Sequence, residues 1–451
     1  MLRCRDDPAL DNPALDNRAL GMVLTGRLVA VAAVSALLIL ALPIWPTVAV
    51  WVTVTALLWL LDSVRAPHPS QLELTRAGTT SLRATETGEL SLRVTNLSRQ
   101  HFHGSIRDAW PPSLWVAPDR HSISVDAGDR RLLTAQVHST RRGSRLPDRV
   151  TVRSLGPWGL GGRQAGRRVP WRIDVLPAFH SRKHLPGKLA RLHDLEGRAV
   201  VLHRGQGSEF DSLREYVSGD DVRSIDWRAT ARASDVMVRT WRPERDRHVV
   251  IVLDCGRTSA ARVGDAPRLD AGIEAALLLT ALAGRAGDRV DVVAWDRQVR
   301  GVAHGRAAGE ALRSATTMLA SAEASLVETD WPGLRAELAR RARQRALVVL
   351  LTSLDPAPIR SGLLPVVPHL TARHLVVVAS VNDPSVTAMA SRRDDLSSTY
   401  RAAAAAGFLG ERRGVADQLV TAGVEVVDRL PDDLAPALAD RYLALKAAGR
   451  L

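Results

Sequence analysis

Carboxylates and guanidinium groups alternate most densely at residues 203–245 of this 451-residue chain. Acids stand at Glu209, Asp211, Glu215, Asp220, Asp221 and Asp226, and arginines at Arg204, Arg214, Arg223, Arg228, Arg232, Arg239 and Arg242. Such carboxylates can hold a metal or do acid/base work. Arginine forks can instead pair with them through two parallel bonds and fix one domain on the next. The near balance of the two charges favours the paired network. A hydrolytic site would leave carboxylates unpaired and bring a histidine close, and only His203 is near in sequence. Removing a member of a buried network should cost about 3–5 kcal/mol, whereas removing a catalytic acid should spare the fold and end turnover. Residues 218–221 read as a turn, 224–227 lead toward a short helix, and 235–239 lead toward a strand.

These residues carry a resemblance. Gly207-Ser208-Glu209-Phe210, Leu213-Arg214-Glu215-Tyr216, Gly219-Asp220-Asp221, Arg223, Ile225-Asp226-Trp227 and Ala231-Arg232 together resemble the signature of the bacterial family catalogued as domain of unknown function 58. Paired N-terminal apolar helices and a turn near Trp158 also resemble its layout, so the likeness covers most of the chain. Family members are typically encoded beside MoxR-type AAA+ ATPases, which implies such an ATPase as a partner by association.

A second centre follows the apolar run His248–Leu253, where the sequence reads Asp254-Cys255-Gly256-Arg257-Thr258-Ser259. An Asp closing a central strand, with hydroxyls just after it, resembles the way von Willebrand factor A domains hold Mg²⁺ through hard oxygen ligands. The resemblance implies Asp254, Thr258, Thr329 and Asp355 as ligands, with an open position for a partner's carboxylate. The chain departs from that pattern at Gly256, where a Ser is usual. It departs again at Ser353, where an Asp is usual and Asp355 stands two places on. The alternative is a metal-free interaction face with Asp254 capping the next segment. Cys255 lacks the neighbouring His and Asp of a thiol protease and reads as a small core residue.

The elements that must position these groups follow from periodicity. Strand candidates at 248–253, 289–295, 345–351, 374–379 and 424–427 alternate with helical segments at 268–285, 307–320, 331–343, 398–421 and 432–447. This predicts a doubly wound α/β domain over 247–451. No GxGxxG follows its first strand and no GxxxxGK[ST] occurs, so nucleotide motifs are missing. Residues 177–246 read as a charged connector. Residues 70–176 alternate in short stretches punctuated by Gly, Pro, Asn and Asp, the pattern of a small antiparallel β-sandwich. Within it Asn96 begins a chance glycosylation sequon, His101 and His103 read as surface histidines, and residues 156–160 form a tight turn with Trp158 as an aromatic anchor.

Residues 28–42 and 47–61 carry no charge and flank Pro43-Ile44-Trp45-Pro46. Taken with their flanks, residues 21–62 predict a transmembrane helical hairpin. Arg18 and Arg27 precede it and Arg65, Arg76 and Arg83 follow it, so the positive-inside rule puts both ends, and the soluble domains, at the cytoplasmic face of the plasma membrane. Residues 1–20 read as a disordered tail, and translation could start at Met22.

Composition narrows the classes. Apolar residues at 46% and charged residues at 24% exclude wholesale disorder. Two cysteines exclude a disulfide framework. The net charge of +13 is almost all arginine, interspersed with acids, and no specific nucleic-acid partner is expected. The expected function is a membrane-anchored, non-enzymatic protein-interaction module working with a MoxR-type ATPase in assembly or remodelling of membrane or envelope proteins. The alternative is a metal-dependent hydrolase using the connector carboxylates.

Overall fold

Strands His248–Asp254, Arg289–Trp295, Val299–Gly305, Leu347–Leu351, Leu375–Val381 and Glu425–Arg429 form one mixed sheet. Counted in chain order they lie 3-2-1-4-5-6, all parallel except Val299–Gly305, which runs antiparallel along one edge. They belong to a computed structural model that describes residues 21–41, 44–202, 209–218, 220–233, 235–242, 247–305 and 308–451. The expected tail at 1–20 and residue His203 lie outside these. The chain divides into two units, Met1–Leu176 and Pro177–Leu451.

In the second unit the central strand is buried on both faces, as its unbroken Val/Ile/Leu run requires. Ile251 and Leu253 pack under helices Arg268–Arg285 and Pro431–Ala447. Val250 and Val252 pack under helices Trp331–Arg341 and Leu396–Thr421. Helices on both faces make the architecture doubly wound. The antiparallel edge strand was not anticipated. It is only partly buried, so it lacks the continuous apolar run of its neighbours. Gly305 at its end lets Ala308–Ala320 approach closely, since a Cβ there would lie 2.4 Å from the Ala311 backbone.

The segment read as a connector is not separate from this core. Leu185–Leu202 is a helix, and Leu192, 1% exposed, sits in the α/β core with Leu185, Leu189 and Leu195 packed beside it. Strand Glu209–Glu215 then pairs antiparallel with Met237–Arg242.

The first unit contains a five-stranded and a four-stranded antiparallel sheet. Leu92 and Val94 from one and Phe102, Ile106 and Val152 from the other share a single core. In a third, three-stranded sheet Ile173–Leu176 pairs parallel with Ser81–Arg83. Asn96 is fully buried and its amide donates to the Gln100, Val125 and Asp126 carbonyls, a structural role that leaves no room for glycan. His101 lies at the surface, bonded to Asp126 and Ser124.

Helices Gly26–Ala41 and Trp45–Arg65 precede these sheets. Among the described residues one helical stretch, Trp45–Gln71, is long and apolar enough to cross a membrane. Residues Gly21–Leu24, assigned above to the hairpin, instead pair as an edge strand with Gly161–Gln164, burying Val23. The strand stops before Thr25, whose hydroxyl caps the following helix by accepting from the Leu28 amide. The turn at 156–160 forms, but Trp158 is not its anchor, being 46% exposed beneath the Arg65 guanidinium. The anchor is Asp62, fully buried at the end of the second helix. It accepts from the backbone amides of Trp158, Leu160 and Gly161 at 2.7–2.9 Å.

Candidate functional site

Asp254 ends the first central strand, at the carboxyl edge of the sheet where doubly wound folds bind ligands. Its side chain is 3% exposed. Oδ1 accepts from the Thr329 hydroxyl at 2.6 Å and the Gly256 amide at 2.8 Å. Oδ2 accepts from the Thr352 hydroxyl at 2.6 Å. Burial pushes this carboxyl up from its ordinary value, opposed by these three donors and reinforced by nearby Asp296.

Each partner is delivered by a different segment. Thr352 directly follows strand Leu347–Leu351. Thr329 precedes Asp330, which caps helix Trp331–Arg341 by accepting from the Gly333 amide. The loop carrying Thr329 is fastened to the strand ends. The Ser325 amide donates to the Cys255 carbonyl, the Arg257 amide donates to the Val327 carbonyl, and the Ser325 hydroxyl bonds Asp296. Gly256 is part of the same construction, because a Cβ there would stand 2.1 Å from the Thr329 hydroxyl. The serine usual at this position in the resembled pattern and the observed position of Thr329 are therefore mutually exclusive.

Asp254, Thr258, Glu328, Thr329 and Thr352 line a cleft with Arg257 and Trp331. Its free volume is about 10 Å³, room for one water-sized species. The donors are carboxylate and hydroxyl oxygens, the chemistry that suits Mg²⁺. Among the described residues no group of three or more His, Cys, Asp or Glu side chains converges on a metal position.

Of the sequence-derived ligands, the structure brings Asp254, Thr258 and Thr329 to one cleft. Asp355 stands outside that lining, 3.0 Å from Arg268 and 3.8 Å from Arg412. Thr352 was missed as a site residue, although it directly follows the fourth central strand. Cys255 is fully buried, as its reading predicted.

Of the connector acids, Asp220, Asp221 and Asp226 take partners, though not in a buried network. Arg214 grips Asp220 with both nitrogens, at 2.7 and 2.5 Å, with side chains 38% and 20% exposed. Asp221 caps a short turn by accepting from the Arg223 amide. Asp226 caps helix Trp227–Thr230 and accepts from Arg239 at 2.8 Å. The Ala229 amide foremost, then Arg239, holds the Asp226 carboxyl below its usual value. The large cost expected for uncovering a buried charge therefore does not apply to these pairs. Arg223 and Arg232 are exposed, as is Trp227 at 69% and Tyr216 at 37%. Gly219 lies outside the described residues, and of Glu209 and Phe210 only the backbone is described, pairing with Arg242 and Trp241.

Comparisons with known proteins find relatives of this chain and one family model. An uncharacterized protein of Mycobacterium tuberculosis and one of Mycobacterium bovis are each 27% identical over 202 residues, or 42% of this chain. The match spans 60% of their own length. Among solved structures, the CARDB domain of a Pyrococcus furiosus protein, solved with di-metal ions, is 13% identical over 25% of this chain and 94% of that one, with a TM-score of 0.16. Native alpha-2-macroglobulin from Escherichia coli, from domain MG7 to the C-terminus, is 22% identical over 25% of this chain and 17% of that one, with a TM-score of 0.20. Residues 212–391, which hold both the paired-charge hairpin and the Asp254 cleft, match the family model described as protein of unknown function DUF58, a narrower span than the resemblance drawn from the sequence.

Proposed function

We propose that the second unit is a von Willebrand factor A-like interaction domain whose Asp254 cleft docks a partner protein. The observation that carries this reading is the cleft itself. A carboxylate at the carboxyl end of the central strand is ringed by hydroxyls from two other segments, beside a space for one ion or water. Asp254, Thr258, Thr329 and Thr352 would hold Mg²⁺, which supplies a coordination position for a partner's carboxylate. The loop that carries Thr329 also exposes Leu326, at 80%. The hairpin region adds Trp227, Val217 and Val222, each more than 60% exposed, an apolar surface suited to protein contact.

The first unit anchors the chain. Helices Gly26–Ala41 and Trp45–Arg65 form a transmembrane hairpin with both ends cytoplasmic. Its outward-facing apolar side chains, such as Val29, Leu37, Leu40, Val50 and Leu57, are all more than half exposed, as lipid contact requires. The partner is a MoxR-type AAA+ ATPase, and the pair assembles or remodels membrane or envelope proteins. The hydrolase alternative has less support, since Asp220, Asp221 and Asp226 each already serve a guanidinium or a backbone amide. A photo-cross-linking side chain placed at position 326 in cell membranes tests the reading. It should capture one protein, and Asp254→Ala should abolish that adduct. An adduct of equal yield in the variant would refute the cleft's role.

A further inference from the structure

At the opposite edge of the sheet, the amino ends of the strands carry a feature that the Asp254 reading does not use. Val249 pairs with Leu347, and Leu347 with Leu375. Two residues before these positions stand Arg247, Arg345 and Arg373, so neighbouring strands, about 4.8 Å apart, each begin beside an arginine. A cavity of about 460 Å³ opens here, lined by Arg247, His248, Gln344, Arg345 and Arg450 among others. That volume suits a small molecule.

The acids nearby are already committed. Asp291 accepts from His248 at 2.8 Å and His304 at 2.9 Å. Asp288 accepts from Tyr442 and Lys446. Glu425 pairs with Arg441 and Arg450. Arg345 is exposed and makes no ion pair among the described residues. His374, 7% exposed, keeps an unpartnered Nδ1 just behind the row. Arg247, Arg345 and Arg450 together outnumber the terminal carboxylate of Leu451, which also lines the cavity, so positive charge is in surplus at a concave site, and Asp291 fixes the orientation of the His248 ring on its wall.

We propose that this cavity binds a phosphate monoester, with the Arg247 and Arg345 guanidinium groups and the His248 imidazole as its ligands. Planar guanidinium forks match phosphate oxygens in parallel bonds, and several cationic groups favour a dianion over a single carboxylate. The phosphate could belong to a soluble metabolite or to a lipid headgroup.

The test uses the full chain reconstituted in phosphatidylcholine vesicles and titrated calorimetrically with inorganic phosphate. Saturable binding is expected, with Kd raised about tenfold or more in Arg345→Ala and in Arg247→Ala, while both variants keep the wild-type unfolding temperature without phosphate. Phosphatidic acid included in the vesicles separates the sources. Competition with phosphate would identify a lipid headgroup, and its absence would identify a soluble ester. No saturable heat, an unchanged Kd in both variants, or equal displacement by chloride at matched ionic strength would overturn the proposal.

Discussion

Asp254 sits under opposing demands. Its three donors favour the carboxylate, and burial favours the neutral acid more strongly. A folded-state value raised above the unfolded one means that the group's contribution to stability is greatest at low pH. That contribution declines as pH rises through the folded value. Asp254→Asn at neutral pH should therefore unfold at or above the wild-type temperature, by thermal denaturation followed in the α/β unit. Added Mg²⁺ should raise the wild-type midpoint, by binding the folded form, and leave the variant's unmoved. Asp291 has the opposite sign. Burial alone would raise it, but bonds from His248 and His304 hold it down at about 2. Its stabilisation should be present above the ordinary value of 3.8 and vanish as pH falls to about 2. In an acid titration Asp291→Asn should start less stable than wild type near neutrality and converge with it at the acid end. Parallel curves would contradict that assignment. At this scale the sequence made Asp254 legible because an acid ending an apolar run has few reasons to be there. Thr352 is not legible as a site residue, because a hydroxyl beside a strand carries no signal of its own and only the fold brings it to Asp254.

The elements were readable where burial leaves a periodic mark. The central strands are apolar on both faces, so their runs are unbroken. Val299–Gly305 pairs on one side only and is half exposed, so no run betrays it. Helix Leu185–Leu202 did leave a signal, with Leu185, Leu189, Leu192 and Leu195 at helical spacing, but the surrounding charge suggested a connector. The junction of the apolar helix with the sheets depends on Asp62, which a hydropathy profile registers only as the end of the run. Its three amide partners are nearly a hundred residues away in sequence. Asp62→Ala would leave those donors without their acceptor, a loss of roughly 2–4 kcal/mol. Amide exchange at Trp158, Leu160 and Gly161 should accelerate in that variant while the sheet core stays protected. Unchanged exchange at those three amides would show that the helix end is held by something else.

Across the whole molecule, the sequence conveyed the sum of the charges and not their placement. Arginines interspersed with acids read as an even surface, and several of the acids do take guanidinium partners. Yet sheet register gathers Arg247, Arg345 and Arg373 from separate segments onto one edge, which linear inspection cannot see. The same folding logic gathers Asp254, Thr329 and Thr352 onto the other edge, where a partner would dock. The most direct measurement is affinity purification of the full chain from membranes with ATP hydrolysis blocked, comparing wild type with Asp254→Ala at equal expression. An AAA+ ATPase of the MoxR type should accompany the wild type and be lost from the variant. Recovery of that ATPase at the same yield with Asp254→Ala, or its absence from both, would contradict docking at that edge.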